Sequence, residues 1–188
     1  RVKTHLQTVA AWLRLQGGRA ELPEARAALD DAVRRVGSIA LVHETLSQSF
    51  GDEVDFDEVA DRLIHNVLDV SRESDVGAVR ADRVGTFGSL PGVVATPLAM
   101  VLTELIQNAV EHAFGPGGGT ITLAVNRIRD RVRLRVSDDG VGLPEGFDPS
   151  GSLGLSIVTT LVEGELDGTL AFERRSGGGT TVALTLNI

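Results

Sequence analysis

The chain has 188 residues, enough for one sizeable core or for one domain with a small helical appendage, and its 42% hydrophobic content is that of a folded globular protein. No apolar run is expected to reach membrane-spanning length, no secretory leader is read, and a formal net charge of −8 argues against a nucleic-acid binder. Cysteine is absent, which excludes disulfides and thiolate metal sites and fits a cytoplasmic setting, and the single lysine, Lys3, excludes a phosphate loop ending in Gly-Lys-Ser/Thr.

Val2, Leu6, Val9 and Leu13 follow the four-three-four spacing of an amphipathic helix already under way at Arg1, so the natural chain is expected to continue upstream. Gly17-Gly18 is expected to end this helix, with Pro23 near the start of the next. Leu29, Val33, Val36, Ala40 and His43 repeat the spacing, seconded by Ala32, Ile39 and Leu46, and His43 reads as a histidine packed on the seam. Residues 1–50 therefore form an antiparallel helical hairpin. Two helices cannot cover that seam alone, and a second copy completing a four-helix bundle is the expected solution, with a partner domain as the alternative.

After a break at residues 49–52, Val54–Phe56 reads as a short strand and Asp57 as the cap of a helix that reaches about Val70 and buries Val59, Leu63, Val67 and Val70. Residues 72–92 hold one strand near Val79–Val84. The next helix is predicted to start with Thr96 as N-cap and Pro97 at its first position, and to stop at Gly115-Pro116. At 100° per residue, Leu102, Leu105, Ile106, Ala109, Val110 and Ala113 share one side and Glu104, Gln107, Asn108, Glu111 and His112 the other. Most such polar stripes are solvent faces. This one carries no Lys or Arg. A carboxylate can orient water, an amide oxygen suits a hard cation such as Mg²⁺, and an imidazole can reach a phosphate.

Thr120–Val125 and Arg131–Ser137 alternate strictly and form an antiparallel pair, with Ile121, Leu123, Val125, Val132, Leu134 and Val136 on one face. Arg127, Arg129, Arg131, Arg133 and Arg135 face outward. An arginine ladder can serve nucleic acid, but in an acidic chain we read it as a solvated sheet face. Leu143–Gly151 is loop, Leu153, Ile157, Val158, Leu161 and Val162 mark a further helix, and Gly168–Glu173 and Thr180–Leu186 are the last strands. The class is α+β, with helices on one face of a mixed or antiparallel sheet.

Three glycine clusters punctuate this half. In Asp138-Asp-Gly140-Val-Gly142, a strand-end carboxylate suits an exocyclic amino group and the glycines let a flat ring approach backbone; a tight turn is the alternative. Gly151-Ser-Leu-Gly154-Leu155 opens a helix, where backbone N–H groups can hold an anion. Gly177-Gly-Gly-Thr180 reads mainly as a hairpin turn.

The order of these pieces, Glu104-x-x-x-Asn108, then Asp138-x-Gly140-x-Gly142, then Gly154 at a helix start, then Gly179-Thr180, resembles the ATP-binding domain of sensor histidine kinases over residues 53–188. This is the Bergerat-fold group shared with gyrase, Hsp90 and MutL-type ATPases. Arg1-Val-Lys3, Leu6-Gln-Thr-Val9 and Leu13-Arg-Leu-Gln16, with Arg34-Arg-Val36, Ser38–His43 and Leu46 on the second helix, resemble the dimerisation hairpin of the His-Arg-x-Lys group, to which HWE-related kinases belong.

The resemblance implies a dimerisation and phosphotransfer hairpin (1–50) followed by an α/β-sandwich ATP-binding domain (53–188). It further implies ATP and Mg²⁺ as cofactors, a homodimer, a response regulator as partner and an upstream sensor domain. Asn108 would coordinate Mg²⁺, Glu104 would polarise water, and His112 would sit by the phosphates. Asp138 would take the adenine amino group beside Gly140 and Gly142. Ser152, Leu153, Gly154 and Leu155 would present the phosphate end, Thr180 would lie near the adenine, and Leu143–Ser152 would be a short mobile lid. The phosphoacceptor histidine would stand just before Arg1, outside this sequence. His5 is a chemically eligible substitute, against a solvated polar side chain, and His65 reads as solvent-exposed. Arg1 occupies the place where other groups have an acidic residue, so the general base stays open. Rival readings are an anti-sigma-factor-type serine kinase, disfavoured by the hairpin, and a non-catalytic nucleotide-binding scaffold.

Overall fold

The computed structural model describes residues 2–47, 52–71 and 77–188, with backbone alone at 70 and 71. Arg1, the break at 48–51 and the acidic stretch 72–76 lie outside the described residues. The chain divides into two compact units, Arg1–Gln48 and Ser49–Ile188.

In the first unit α1 (Val2–Arg19) and α2 (Pro23–Leu46) pack together, antiparallel, since Lys3 pairs with Glu44 at 2.7 Å and Gly17 lies beside Leu29. The expected stop at Gly17-Gly18 is overturned: the helix continues to Arg19. Gly17 is buried against α2, where a Cβ would meet that of Leu29 at 3.6 Å, so packing overrides weak propensity. His43 is not a seam residue but exposed. The buried residues of α2 are Val33, as the spacing predicts, with Ser38, Val42 and Thr45, while Leu29, Val36 and Ala40 are half-buried. Ser38 and Thr45 tolerate burial because their hydroxyls donate to the Arg34 and Leu41 carbonyls of their own helix. Val2, Val9, Trp12, Leu15 and Ile39 remain exposed.

In the second unit β1 (Glu53–Asp55) pairs with β3 (Ser89–Pro91), a strand too short for sequence patterning to reveal. The helix α3 (Phe56–Ser71) is capped by Asp55, whose Oδ1 accepts from the Asp57 and Glu58 amides, and not by Asp57 as expected. Asp57 reaches across to accept from the Phe87 and Gly88 amides at 2.8 and 2.9 Å and from Arg83 at 2.7 Å. The same guanidinium hydrogen-bonds Asp61, holding that carboxyl below its ordinary range while its own pKa rises. Val59, Leu63 and Val67 are buried as the spacing predicts.

The central helix α4 (Gly92–His112) begins a turn earlier than the Thr96-Pro97 signal indicates, with Pro97 inside it and buried. Thr96 does not cap; its hydroxyl donates back to the Gly92 carbonyl. Pro97 is the sixth helical residue, so its missing N–H costs the helix the bond to the Val93 carbonyl, and burial of its ring offsets that loss. By length and composition α4 also meets a membrane-spanning criterion, against expectation, but most of it is buried inside the unit and it serves as the core helix. Leu98, Leu102 and Ile106 are fully buried, each contributing about 1.5–3 kcal/mol on transfer from water.

The sheet is five-stranded, ordered β2-β4-β5-β7-β6, from β2 (Val79–Val84), β4 (Gly119–Ile128), β5 (Arg131–Asp138), β6 (Thr169–Arg174) and β7 (Thr180–Asn187). β2 runs parallel to β4 and every other neighbour is antiparallel. Ile121, Leu123, Val132, Leu134, Val136, Val182, Leu184 and Leu186 bury one face, and α4 packs against α3, the sheet and α5 (Leu153–Thr160). Arg127 is not merely solvated: it donates to the Phe87 and Ser89 carbonyls, tying the end of β4 to the β2–β3 connection.

Candidate nucleotide-binding site

Residues of α4, β5, β6, β7, the lid and the start of α5 line an open cavity of about 590 Å³, within the range of small-molecule sites. Asn108, His112, Asp138, Gly142, Ser152, Leu155 and Thr180, all picked out from the sequence, line it. Hydrogen-bonding needs place the two most informative.

Asp138 is the last residue of β5, buried at 7% exposure. Its Oδ1 accepts from the Gly140 amide at 3.0 Å and the Thr180 amide at 3.2 Å. Both bonds fall on one oxygen, which leaves Oδ2 for a donor on a ligand. The adjacent Asp139 turns the other way and takes the Thr120 amide at 2.7 Å. On α4, elsewhere in the lining, the Nδ2 of Asn108 is buried and has no hydrogen-bond partner in the structure. A buried amide donor costs roughly 1–3 kcal/mol when unpaired, and an acceptor on a ligand, not a cation, is the partner an N–H takes. His112 lies one turn further along, its side chain 74% exposed and 3.9 Å from Glu111.

Other expected residues stand outside the wall. Glu104 is buried one turn before Asn108 and does not line the cavity. Gly140 does not face a ring: a Cβ there would lie 2.1 Å from the Ala113 carbonyl, because the turn is pinned to the end of α4 by the Val141 N–H. Gly142 (φ 78°), which does line the cavity, also has a neighbour on its other side: a Cβ there would lie 3.0 Å from the Gly179 carbonyl. Gly154 is buried at the start of α5 and Leu153 beside it is exposed, and neither touches the cavity. His5 is exposed on the hairpin, and His65 is exposed and paired with Asp69 at 2.9 Å.

Three contributors escaped the sequence reading. Phe147 of the lid meets Phe172 of β6 with ring centroids 5.6 Å apart, both lining the cavity. Arg174, two residues after Phe172, is the lone lysine or arginine among the lining residues. The signal for these was the alternation Leu170, Phe172, Arg174, which carries the inward face of β6 to the cavity. The lid itself is locally folded: Asp148 caps the turn Pro149–Gly151 by accepting from the Ser150 amide and hydroxyl, and the hydroxyl bond, seconded by the amide, lowers its pKa.

A helix-on-sheet unit with a lidded cavity, a strand-end carboxylate and an unpaired helix amide is the design of an ATP-binding domain of the Bergerat type. Residues 93–188 match the family described as histidine kinase-, DNA gyrase B-, and HSP90-like ATPase, and the chain belongs to it; residues 1–71 match a second family, described as histidine kinase. The sensor histidine kinase PdtaS of Mycobacterium tuberculosis is 48% identical over 192 residues, covering 100% of this chain and 38% of the relative. Blue-light-activated histidine kinase 2 of Erythrobacter litoralis is 27% identical over 200 residues, 99% of this chain and 54% of the relative. The chain thus spans about two fifths to half the length of these relatives. Among solved structures, the histidine kinase domain of the Erythrobacter litoralis EL346 blue-light-activated kinase shares the fold, with a TM-score of 0.66 at 23% identity over 99% of this chain and 88% of that one.

Proposed function

We propose that this chain is the catalytic core of a two-component sensor histidine kinase. It passes the γ-phosphoryl of ATP to a histidine on a helical hairpin, and thence to an aspartate of a response regulator. Residues 1–50 are the dimerisation and phosphotransfer hairpin and residues 53–188 the ATP-binding domain. The observation that carries this reading is the presence, in the lining of one cavity, of the Asp138 carboxylate with Oδ2 left over and of the unpartnered Asn108 Nδ2.

Asp138 accepts the adenine amino group, and the Thr180 amide, bonded to the same carboxylate, fixes its plane. Phe147, Phe172 and Leu155 supply apolar wall for the ring. Asn108 and His112 face the phosphates, and Ser152, Leu153, Gly154 and Leu155 form the helix start beneath the lid. Glu104, buried one turn from Asn108, holds or polarises water at that end. Among the described residues no three acidic, histidine or cysteine side chains cluster. Asn108 would hold Mg²⁺ through its Oδ1, leaving the unpaired Nδ2 to donate to a phosphate oxygen, and the ion would neutralise phosphate charge. The chain's own work is positioning: an imidazole nitrogen attacks the γ-phosphorus while the bond to the β-phosphate oxygen breaks and ADP leaves.

The exposed Val2, Val9, Trp12, Leu15 and Ile39 support a homodimer through the hairpin. The need for ATP and a response regulator makes the cytoplasm its setting, downstream of a sensor domain. Asn108→Ala is the direct test: Mg²⁺-ATP affinity measured by calorimetry is expected to fall at least tenfold, about 1.4 kcal/mol, and a loss below about twofold removes the assignment. For the reaction, the full-length protein incubated with labelled ATP is expected to carry acid-labile label; acid-stable label or none contradicts it.

A further inference from the structure

Beyond the residues that touch nucleotide, the structure points to a residue that aims Asp138. We infer that Arg175 is a positioning residue for base recognition, acting through the Asp138 backbone; this rests on the reading of Asp138 as the purine acceptor.

The pairing of β5 with β7 ends at Ser137↔Thr181. At the next step the Thr180 amide goes to the Asp138 carboxylate and not to its carbonyl. The carbonyl, part of a nearly buried residue, then needs another donor. Arg175, in the turn between β6 and β7, supplies it: its Nη1 donates to the Asp138 carbonyl at 2.7 Å. The turn is itself closed by the Arg175 amide on the Gly179 carbonyl at 3.1 Å and the Gly178 amide on the Arg175 carbonyl at 3.2 Å. Gly179 (φ 87°) approaches so near that a Cβ there would stand 2.0 Å from the same Asp138 oxygen. One residue is therefore held at two points, its carboxylate by Thr180 and its backbone carbonyl by Arg175. A shift of the Asp138 backbone at this strand end would carry the Cα, and with it Oδ2, away from the cavity, and the guanidinium on the carbonyl opposes that shift. A charged donor on a carbonyl is stronger than a neutral one, which suits the task.

The consequence is read in base discrimination, with the 188-residue chain and calorimetry of Mg²⁺-ATP, Mg²⁺-ADP and Mg²⁺-GTP. Arg175→Met keeps most of the stem and removes the donor. It is expected to weaken ATP and ADP by the same factor, about tenfold, and to narrow the ATP-over-GTP preference by about as much. Arg175→Lys, which retains one charged donor, is expected to recover most of both. A merely structural residue would lower the thermal midpoint without changing the ratio of ATP to GTP. The inference is overturned if Arg175→Met binds ATP within twofold of the parent chain, if it loses ATP and GTP equally, or if Met and Lys behave alike. Asp138→Asn separates the two levels. Should it leave the ATP-over-GTP preference intact, the base reading itself fails. Should it abolish that preference while Arg175→Met does not, only the role of Arg175 fails.

Discussion

The two ends of the cavity are built on opposite plans. At the Asp138 end, three hydrogen bonds from three backbone and side-chain donors converge on one residue, and its neighbouring turns approach so closely that Gly140 and Gly179 have no room for a Cβ. At the lid, the hydrogen bonds run only among near neighbours such as Asp148 with Ser150 and Ser152 with Ser156, and the link across to the sheet is the ring contact of Phe147 with Phe172. Discrimination of a base needs donors and acceptors fixed within tenths of an ångström. Admission and release of a triphosphate need a wall that opens at small cost. The contrast teaches that one small domain separates these demands in space.

Substitutions at the two ends should therefore differ in size and in kind. Asp138→Ala removes the acceptor and leaves the Gly140 and Thr180 amides unpaired; it is expected to cost about 3 kcal/mol in ATP binding, roughly a hundredfold in Kd by calorimetry. A twofold effect would break the comparison. Gly140→Ala drives a methyl against the Ala113 carbonyl and should lower unfolding free energy by about 2 kcal/mol in urea titration. Gly146→Ala in the lid meets no atom within 4 Å and has only its φ of 71° to oppose, about 1 kcal/mol, seen as faster lid proteolysis.

Phe147→Ala gives up one ring pair, about 1 kcal/mol, and should weaken ATP about fivefold by speeding dissociation. The smallest effect belongs to Asp148. Its folded-state pKa lies below the ordinary value, so its contribution to the lid turn is present above about pH 4 and is lost as pH falls through the lowered value. Because the group is fully exposed, Asp148→Ala is expected to leave the thermal midpoint unchanged at neutral pH, and a clear drop would show the lid to be part of the cooperative fold.

Much of this was legible in the residues. The strict alternation of β4 and β5 gave their pairing, and the carboxylate of Asp138 together with the amide of Asn108 marked the cavity. What escaped depended on distance across the chain. The sequence signal at Thr96-Pro97 is a sound helix start considered locally, but the β1–β3 pairing delivers the chain into α4 already at Gly92. Asp57 looked like a cap because its competitor, Asp55, sits two residues away, and nothing local says that Phe87 and Gly88 will claim it. The residue pattern suits the glycines of the Asp138 loop to a ring, whereas Gly140 makes room for the end of α4 at Ala113. Phe147, Phe172 and Arg174 enter through the lid and the edge strand, where pattern shows which side a residue takes but not what it will meet.

Trp12 is the protein's single indole, there is no tyrosine, and 59% of its surface is open on α1. Intrinsic fluorescence excited at the red edge therefore comes from the hairpin alone, with the ATP-binding unit dark. Its emission should shift to the blue when a second molecule covers that helix. Any change that follows addition of nucleotide, at fixed oligomeric state, would be a direct optical readout of communication from one unit to the other.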